Sequence, residues 1–260
     1  MMSLLRLGSV VIRISELLNM KFIGRRNIQT PIGRAIVEVI EYHNAGRYVE
    51  RDYAIARLEM LAKHLEEIKK YDENLLNKFK NKIKREESYY GFRFEAAIAA
   101  SLIRKNIKFE KTEAPDFTIH YQGQELYIEA TTVRLSKPKK KALKNKIINA
   151  IRRKYRKEYC NQKTALFIDI TNLLHHNIIY GKILQYKNIK NIVKKALSKH
   201  GFGSILMFAY ICNLDLKRYE FNYIRVDNDT IDPLLEKFLD QYYPIKGITV
   251  YNYHVFEKAN

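Results

Sequence analysis

The chain has 260 residues, of which 47% are hydrophobic, and it carries 47 Lys and Arg against 28 Asp and Glu. The apolar content excludes a disordered chain. The net charge of +19 predicts a polyanionic partner, with nucleic acid first and an acidic membrane surface second. The two cysteines, Cys160 and Cys212, argue against a disulfide framework and favour a reduced, cytoplasmic setting.

The first apolar stretch, from Leu4 to Ile14, is interrupted by two arginines and lacks a small-residue cleavage pattern. It is therefore expected to be a folded element, neither a signal peptide nor a membrane span. No membrane partner is expected.

Residues 1–87 are predicted to be mostly helical. Thr30-Pro31 indicates a helix start, because threonine caps a first turn and proline suits its first position. Further helices are expected over residues 50–70 and 72–85. We interpret this region as an arm that positions DNA or joins two copies of the chain as a homodimer.

A helix is predicted over residues 88–105, an alanine-rich segment with a basic last turn. Its apolar stripe includes Phe94, Ile98 and Leu102, and helical spacing brings Glu95 alongside that stripe. Acids are rarely buried without a partner. Glu95 therefore either reaches water at the edge of the stripe or faces a site formed with other acids.

Two β-rich segments around Gln122-Gly123 predict an antiparallel hairpin. With a two-residue loop, Asp116 lies opposite Glu129, and opposed residues have Cβ atoms roughly 4.5–5.5 Å apart. With a three-residue loop, Asp116 lies opposite Ala130 instead. Two carboxylates so close repel each other unless a positive charge lies between them, and a divalent metal ion is the obvious candidate. The alternative is a surface hairpin with two acids in register by chance.

The segment from Arg134 to Cys160 has twelve Lys or Arg residues against one acid, a local charge of +11. Its apolar residues recur at three- and four-residue spacing, which predicts an amphipathic helix with a basic outer face. That face is either merely solvated or, as the charge favours, a surface for a polyanion. The residues expected to contact phosphates are Lys137, Lys139, Lys140, Lys141, Lys144, Arg152, Arg153 and Arg156.

The remaining elements extend a mixed sheet without a clear boundary. They are a buried strand over residues 164–170, a helix over 184–200, strands over 204–212 and 218–226, a helix from Asp232-Pro233 to Tyr242 and a closing strand over 248–256. Residues 88–260 are therefore predicted to form one α/β (α+β) domain with a mixed sheet flanked by helices.

The order of a helix with Glu95, a short strand, strands with Asp116 and Glu129, a basic helix and a further strand resembles the core of the PD-(D/E)XK nuclease superfamily. The resemblance covers residues 88–170 and implies a restriction-endonuclease-like core. It also implies a metal-dependent nuclease acting on DNA, with Mg²⁺ or Mn²⁺ as cofactor. By the same resemblance, Asp116 and Glu129 are metal ligands and Ala130 supplies a carbonyl ligand. Glu95 matches the acid often found on the first helix and is expected to support the metal site as well.

The pattern expects a lysine where this chain has Thr131. Strand alternation places Thr131 on the face of Glu129, where its hydroxyl can hydrogen-bond but brings no positive charge. Lys144, Lys141 and Lys111 are candidates to supply the charge from elsewhere. The residues expected to be catalytic are Glu95, Asp116, Glu129, Thr131 and Lys144. A catalytically inactive nucleic-acid-binding protein on the same fold and an RNA-directed nuclease are the alternative functions.

Overall fold

The computed structural model of the chain describes residues 2–22, 28–80, 86–135, 142–155, 157–179, 186–197, 201–213, 218–245 and 253–254. These residues combine helices with one mixed sheet, the α+β organisation expected from the sequence. The chain divides into two units, Met1–Asn106 and Ile107–Asn260. The sequence predicts a boundary at residue 87, whereas the structure groups the helix that carries Glu95 with the N-terminal helices.

Every regular element described in the first unit is a helix. Its helices are α1 (Met2–Leu18), α2 (Pro31–Asn44), α3 (Tyr48–Tyr71), α4 (Glu73–Lys80) and α5 (Glu86–Arg104). Helix α3 contacts the other four, and its Ile55, Leu58 and Leu61 are fully buried. The apolar stripe of this helix therefore supplies the centre of the unit's core.

Two features of this unit differ in how well the sequence predicts them. The Thr30 hydroxyl accepts a hydrogen bond from the Gly33 N–H at 3.1 Å, so the expected cap of α2 is confirmed. The expected one-sided stripe of α5 is wrong, because residues 92–100 are all buried. A helix buried on every side needs neighbours on every side, and α3 of the same unit is one of them.

The second unit contains the sheet. Its elements are β1 (Phe109–Lys111), β2 (Phe117–Tyr121), β3 (Gln124–Thr132), α6 (Ala142–Lys154), β4 (Thr164–Asp169), α7 (Thr171–Ile179), α8 (Tyr186–Leu197), β5 (Ser204–Asn213), β6 (Arg218–Asp227), α9 (Pro233–Tyr242) and β7 (Tyr253–His254). The strand order is β1-β2-β3-β4-β5-β6, with β7 also paired to β5. The central β3–β4 and β4–β5 pairs are parallel, and the flanking pairs are antiparallel.

Helices cover both faces of this sheet. Leu166 and Ile168 of β4 belong to an apolar cluster with residues of α6 and α8. The alternating residue Phe167 contacts the ring of Tyr243, just beyond α9, on the opposite face. Glu129 of β3 pairs with Leu166 in register, so Glu129 lies on the face that α6 covers.

The described parts of the chain bear out most of the predicted elements. The strands expected over 164–170, 204–212 and 218–226 correspond to β4, β5 and β6. Of the closing strand expected over 248–256, only Tyr253–His254 is described. In the part of the chain that the structure describes, each helix is too short or too polar to span a bilayer.

Candidate active site

The β2–β3 turn places the two candidate carboxylates together. Gln122 and Gly123 have φ values of 50° and 77°, the left-handed pair that a two-residue hairpin loop requires. Tyr121 pairs with Gln124, so the two-residue loop is confirmed and the three-residue alternative is wrong. The hydrogen-bonded ladder ends where Phe117 pairs with Ile128. The next residue outward is Asp116 beside β2 and Glu129 on β3.

Reciprocal hydrogen bonds hold these two residues at the open end of the hairpin. The Asp116 N–H donates to Glu129 Oε2 at 3.2 Å, and the Ala130 N–H donates to Asp116 Oδ2 at 2.9 Å. Asp116 and Glu129 are 8% and 2% exposed, respectively. Each carboxylate therefore fixes the backbone next to the other, and the pair is a built feature of the fold rather than a chance register on a surface.

Two lysines neutralise the pair. Lys111 Nζ, at the end of β1, donates to Asp116 Oδ1 at 3.1 Å and to the Thr112 carbonyl at 3.0 Å. Lys154 Nζ, at the last residue of α6, donates to Glu129 Oε1. All four carboxylate oxygens thus accept a hydrogen bond from the protein. Each carboxylate therefore has its own ammonium partner.

The pKa of Glu129 reflects this competition between charges. Burial raises the pKa of its carboxyl above the ordinary value, and the nearby Asp116 raises it further. Hydrogen bonding and charge from Lys154 lower it, as does the nearby Tyr159 hydroxyl. Burial, followed by the charge of Glu129, raises the pKa of the Tyr159 phenol well above its usual range. Tyr159 therefore stays neutral beside Glu129.

The donor set fits Mg²⁺. Asp116 and Glu129 offer hard carboxylate oxygens, and Mg²⁺ is usually held by one or two carboxylates together with waters and substrate phosphates. Because the N–H and C=O of a strand residue point to the same side of the strand, the Ala130 carbonyl also points toward the Asp116 side. Among the described residues there is no group of three or more His, Cys, Asp or Glu side chains arranged to hold a metal.

The basic helix α6 presents different cations on its two sides. Leu143, Ile147 and Ile151 are buried against the sheet, and Lys154 follows them at helical spacing. Its outer side contributes to an open groove of about 500 Å³, which is lined by Lys146, Asn149, Arg152 and Arg153. One helix thus carries both the lysine bonded to Glu129 and a positively charged groove.

The other residues expected in the site differ in where the structure places them: some are exposed, some are buried or half-buried, and some lie outside the described residues. Lys144 is exposed on α6, and the α6 lysine that reaches the carboxylates is Lys154. Thr131 is half-buried on the Glu129 face of β3. Glu95 is buried in the first unit, and its role beside Asp116 and Glu129 stays a prediction. The expected phosphate contacts Lys137, Lys139, Lys140, Lys141 and Arg156 lie outside the described residues.

Sequence reasoning missed two members of this cluster. Lys154 was signalled by its spacing, because it continues the buried stripe of α6 by one further turn. Tyr159 lies beyond the helix, where no periodic pattern indicates which way a side chain points. Lys111 was among the three lysines expected to reach inward, and it does contact Asp116.

Comparisons of the chain with models of known protein families, with curated proteins and with solved structures gave no match. The functional inference therefore depends on the fold of the second unit and on the carboxylate pair.

Proposed function

We propose that the chain is a metal-dependent nuclease of the PD-(D/E)XK type that hydrolyses phosphodiester bonds in DNA. The observation that carries this proposal is the buried Asp116–Glu129 pair, latched at the end of a hairpin and bonded to a lysine of the basic helix. Burial and the charge of Asp116 raise the pKa of Glu129, and a perturbed buried acid of this kind is a candidate for a functional site.

In this proposal, Asp116, Glu129 and the Ala130 carbonyl hold Mg²⁺. When bound, Mg²⁺ supplies Lewis acidity, which lowers the pKa of water and offsets charge on phosphate oxygens. Lys111 and the Ala130 N–H keep Asp116 in place, and the Asp116 N–H holds Glu129. The positions of these groups are set before substrate arrives, so little reorganisation is needed.

The groove on α6 is proposed to hold the nucleic acid backbone. Lys146, Arg152 and Arg153 are cationic, and Asn149 offers an amide donor for a phosphate oxygen. Arginine forks match phosphate geometry in a bidentate manner. Contacts of this kind are independent of sequence and weaken as salt rises.

A second candidate function is nucleic acid binding without cleavage. It is favoured by Thr131 at the position where the pattern expects lysine, and by the bonds that already occupy every oxygen of the carboxylate pair. In this case the two lysines serve as permanent counter-charges, and the α6 groove alone is functional.

The two candidates differ in metal-dependent cleavage. Plasmid, linear duplex, single-stranded DNA and RNA are incubated with the wild type in Mg²⁺, in Mn²⁺ and in chelator. Asp116→Asn and Glu129→Gln are the test variants. The matched control is Glu125→Gln, which changes an exposed acid on the same strand as Glu129. Cleavage that needs metal, survives in the control and disappears in both test variants supports the nuclease. Binding without cleavage in every condition supports the second candidate. Preferential cleavage of RNA would show that the substrate is RNA rather than DNA.

A further inference from the structure

The two lysines at the carboxylate pair differ in how firmly they are held. The Lys111 side chain is 5% exposed, donates to both Asp116 and the Thr112 carbonyl, and lies over the Phe117 ring with its Nζ 5.0 Å from the ring centroid. The Lys154 side chain is 28% exposed and extends from the last residue of α6. Lys111 is therefore packed into the unit, whereas Lys154 approaches Glu129 from the solvent side.

Glu129 has a second anchor besides Lys154. Its Oε2 accepts a hydrogen bond from the Asp116 N–H at 3.2 Å. Lysine has a flexible four-carbon stem and a compact charge that is readily hydrated, so its ammonium can withdraw into water when an arriving divalent ion replaces its charge at Glu129. Withdrawal would free Oε1, an oxygen of the anion most deeply buried in the pair.

We propose that Lys154 is a resident counter-cation that leaves Glu129 Oε1 when a divalent ion binds, so that this lysine sets the metal affinity of the site. The inference rests on the proposed function, because it assumes that Asp116 and Glu129 hold a metal. Once withdrawn, Lys154 is on the side of the site that faces solvent, where an incoming phosphate carries negative charge. The same side chain then neutralises the empty site in one state and attracts substrate in the other.

If the metal displaces Lys154, replacing this lysine changes the metal affinity in the opposite direction from the one expected of a merely supporting residue. A unit charge roughly 5 Å from a divalent cation weakens its binding on the order of tenfold, even at the dielectric constant of water. Replacing Lys154 with an uncharged residue should therefore tighten metal binding by about tenfold or more. A lysine that only helped to hold Glu129 would instead weaken metal binding when removed.

The test is calorimetric titration of Mn²⁺ into the full chain at pH 8.5. The variants are Lys154→Met, Lys154→Arg, which keeps the charge, and Lys157→Met, which removes an exposed charge from the segment that follows α6. Asp116→Asn tests the location of the metal. We expect tighter binding in Lys154→Met, wild-type affinity in Lys154→Arg and Lys157→Met, and loss of binding in Asp116→Asn.

The contrary outcomes separate the two proposals. If the wild type binds Mn²⁺ and Lys154→Met binds it equally well or more weakly, Lys154 is not displaced by the metal. The metal site itself would then still stand. Tightening of equal size in Lys157→Met overturns the displacement too, because the effect would then be one of net charge. Failure of both the wild type and Lys154→Met to bind Mn²⁺ overturns the metal site itself, and binding that survives Asp116→Asn places the metal elsewhere.

Discussion

Neutralising the α6 groove should flatten the salt dependence of DNA binding by an amount that the structure specifies. The groove presents three cations, Lys146, Arg152 and Arg153. Each phosphate contact contributes about −0.9 to the slope of log affinity against log salt for duplex DNA. Replacing all three with glutamine should therefore reduce the steepness of that slope by about 2.7. Between 50 and 200 mM salt, the variant should lose about 40-fold less affinity than the wild type loses.

The assay is fluorescence anisotropy of a labelled duplex in chelator, so that cleavage does not interfere. The matched control replaces Lys63, Lys69 and Lys70 with glutamine, which removes the same charge from exposed positions on α3. The control should keep the wild-type slope. If both triple variants flatten the slope equally, or if neither does, the groove is not the phosphate-binding surface.

Three further predictions concern the fold and its charges. A Cβ at Gly203 would lie 2.1 Å from the Gln162 carbonyl oxygen, so Gly203→Ala should lower the free energy of unfolding by about 3 kcal/mol. Gly91 lies inside α5, and no atom is within 4 Å of a Cβ added there, so Gly91→Ala should raise the free energy of unfolding by up to about 1 kcal/mol. Equal urea midpoints for the two variants would contradict both expectations. The raised pKa of Glu129 means that the folded state binds more protons than the unfolded state just above the ordinary value of 4.5. The stability of the wild type relative to Glu129→Gln should therefore decrease as pH rises through that window, which urea unfolding across pH would detect; an increase would contradict the reasoning. Burial, with the charges of Arg104 and Lys63, lowers the pKa of His64 from 6.5 to about 3. Stability should fall on the order of 4 kcal/mol as pH falls across this range, and His64→Leu should remove most of that slope; an unchanged slope would contradict it.

The elements that sequence predicts well are those with local causes. The Gln122-Gly123 turn and the alternation beside it determine the β2–β3 register, and that register places Asp116 beside Glu129. The α6 stripe predicts which side of that helix meets the sheet. These features depend on residues close together in the chain, where turn chemistry and periodicity act.

What the sequence could not supply depends on contacts between distant segments. The bonds from Lys111 and Lys154 to the carboxylates join three separate elements, and several lysines were equally plausible donors. The Tyr159 hydroxyl reaches Glu129 from a segment with no regular structure. The burial of α5 on all sides depends on neighbours that its own pattern does not specify. Pairings of this kind are fixed by packing rather than by propensity.

The account is tested most directly by the rate of DNA cleavage in Mg²⁺ by the wild type, Asp116→Asn and Glu125→Gln, measured with protein in excess of substrate. The account predicts cleavage by the wild type and by Glu125→Gln that stops in chelator, and none by Asp116→Asn. Cleavage by Asp116→Asn at the wild-type rate would contradict it.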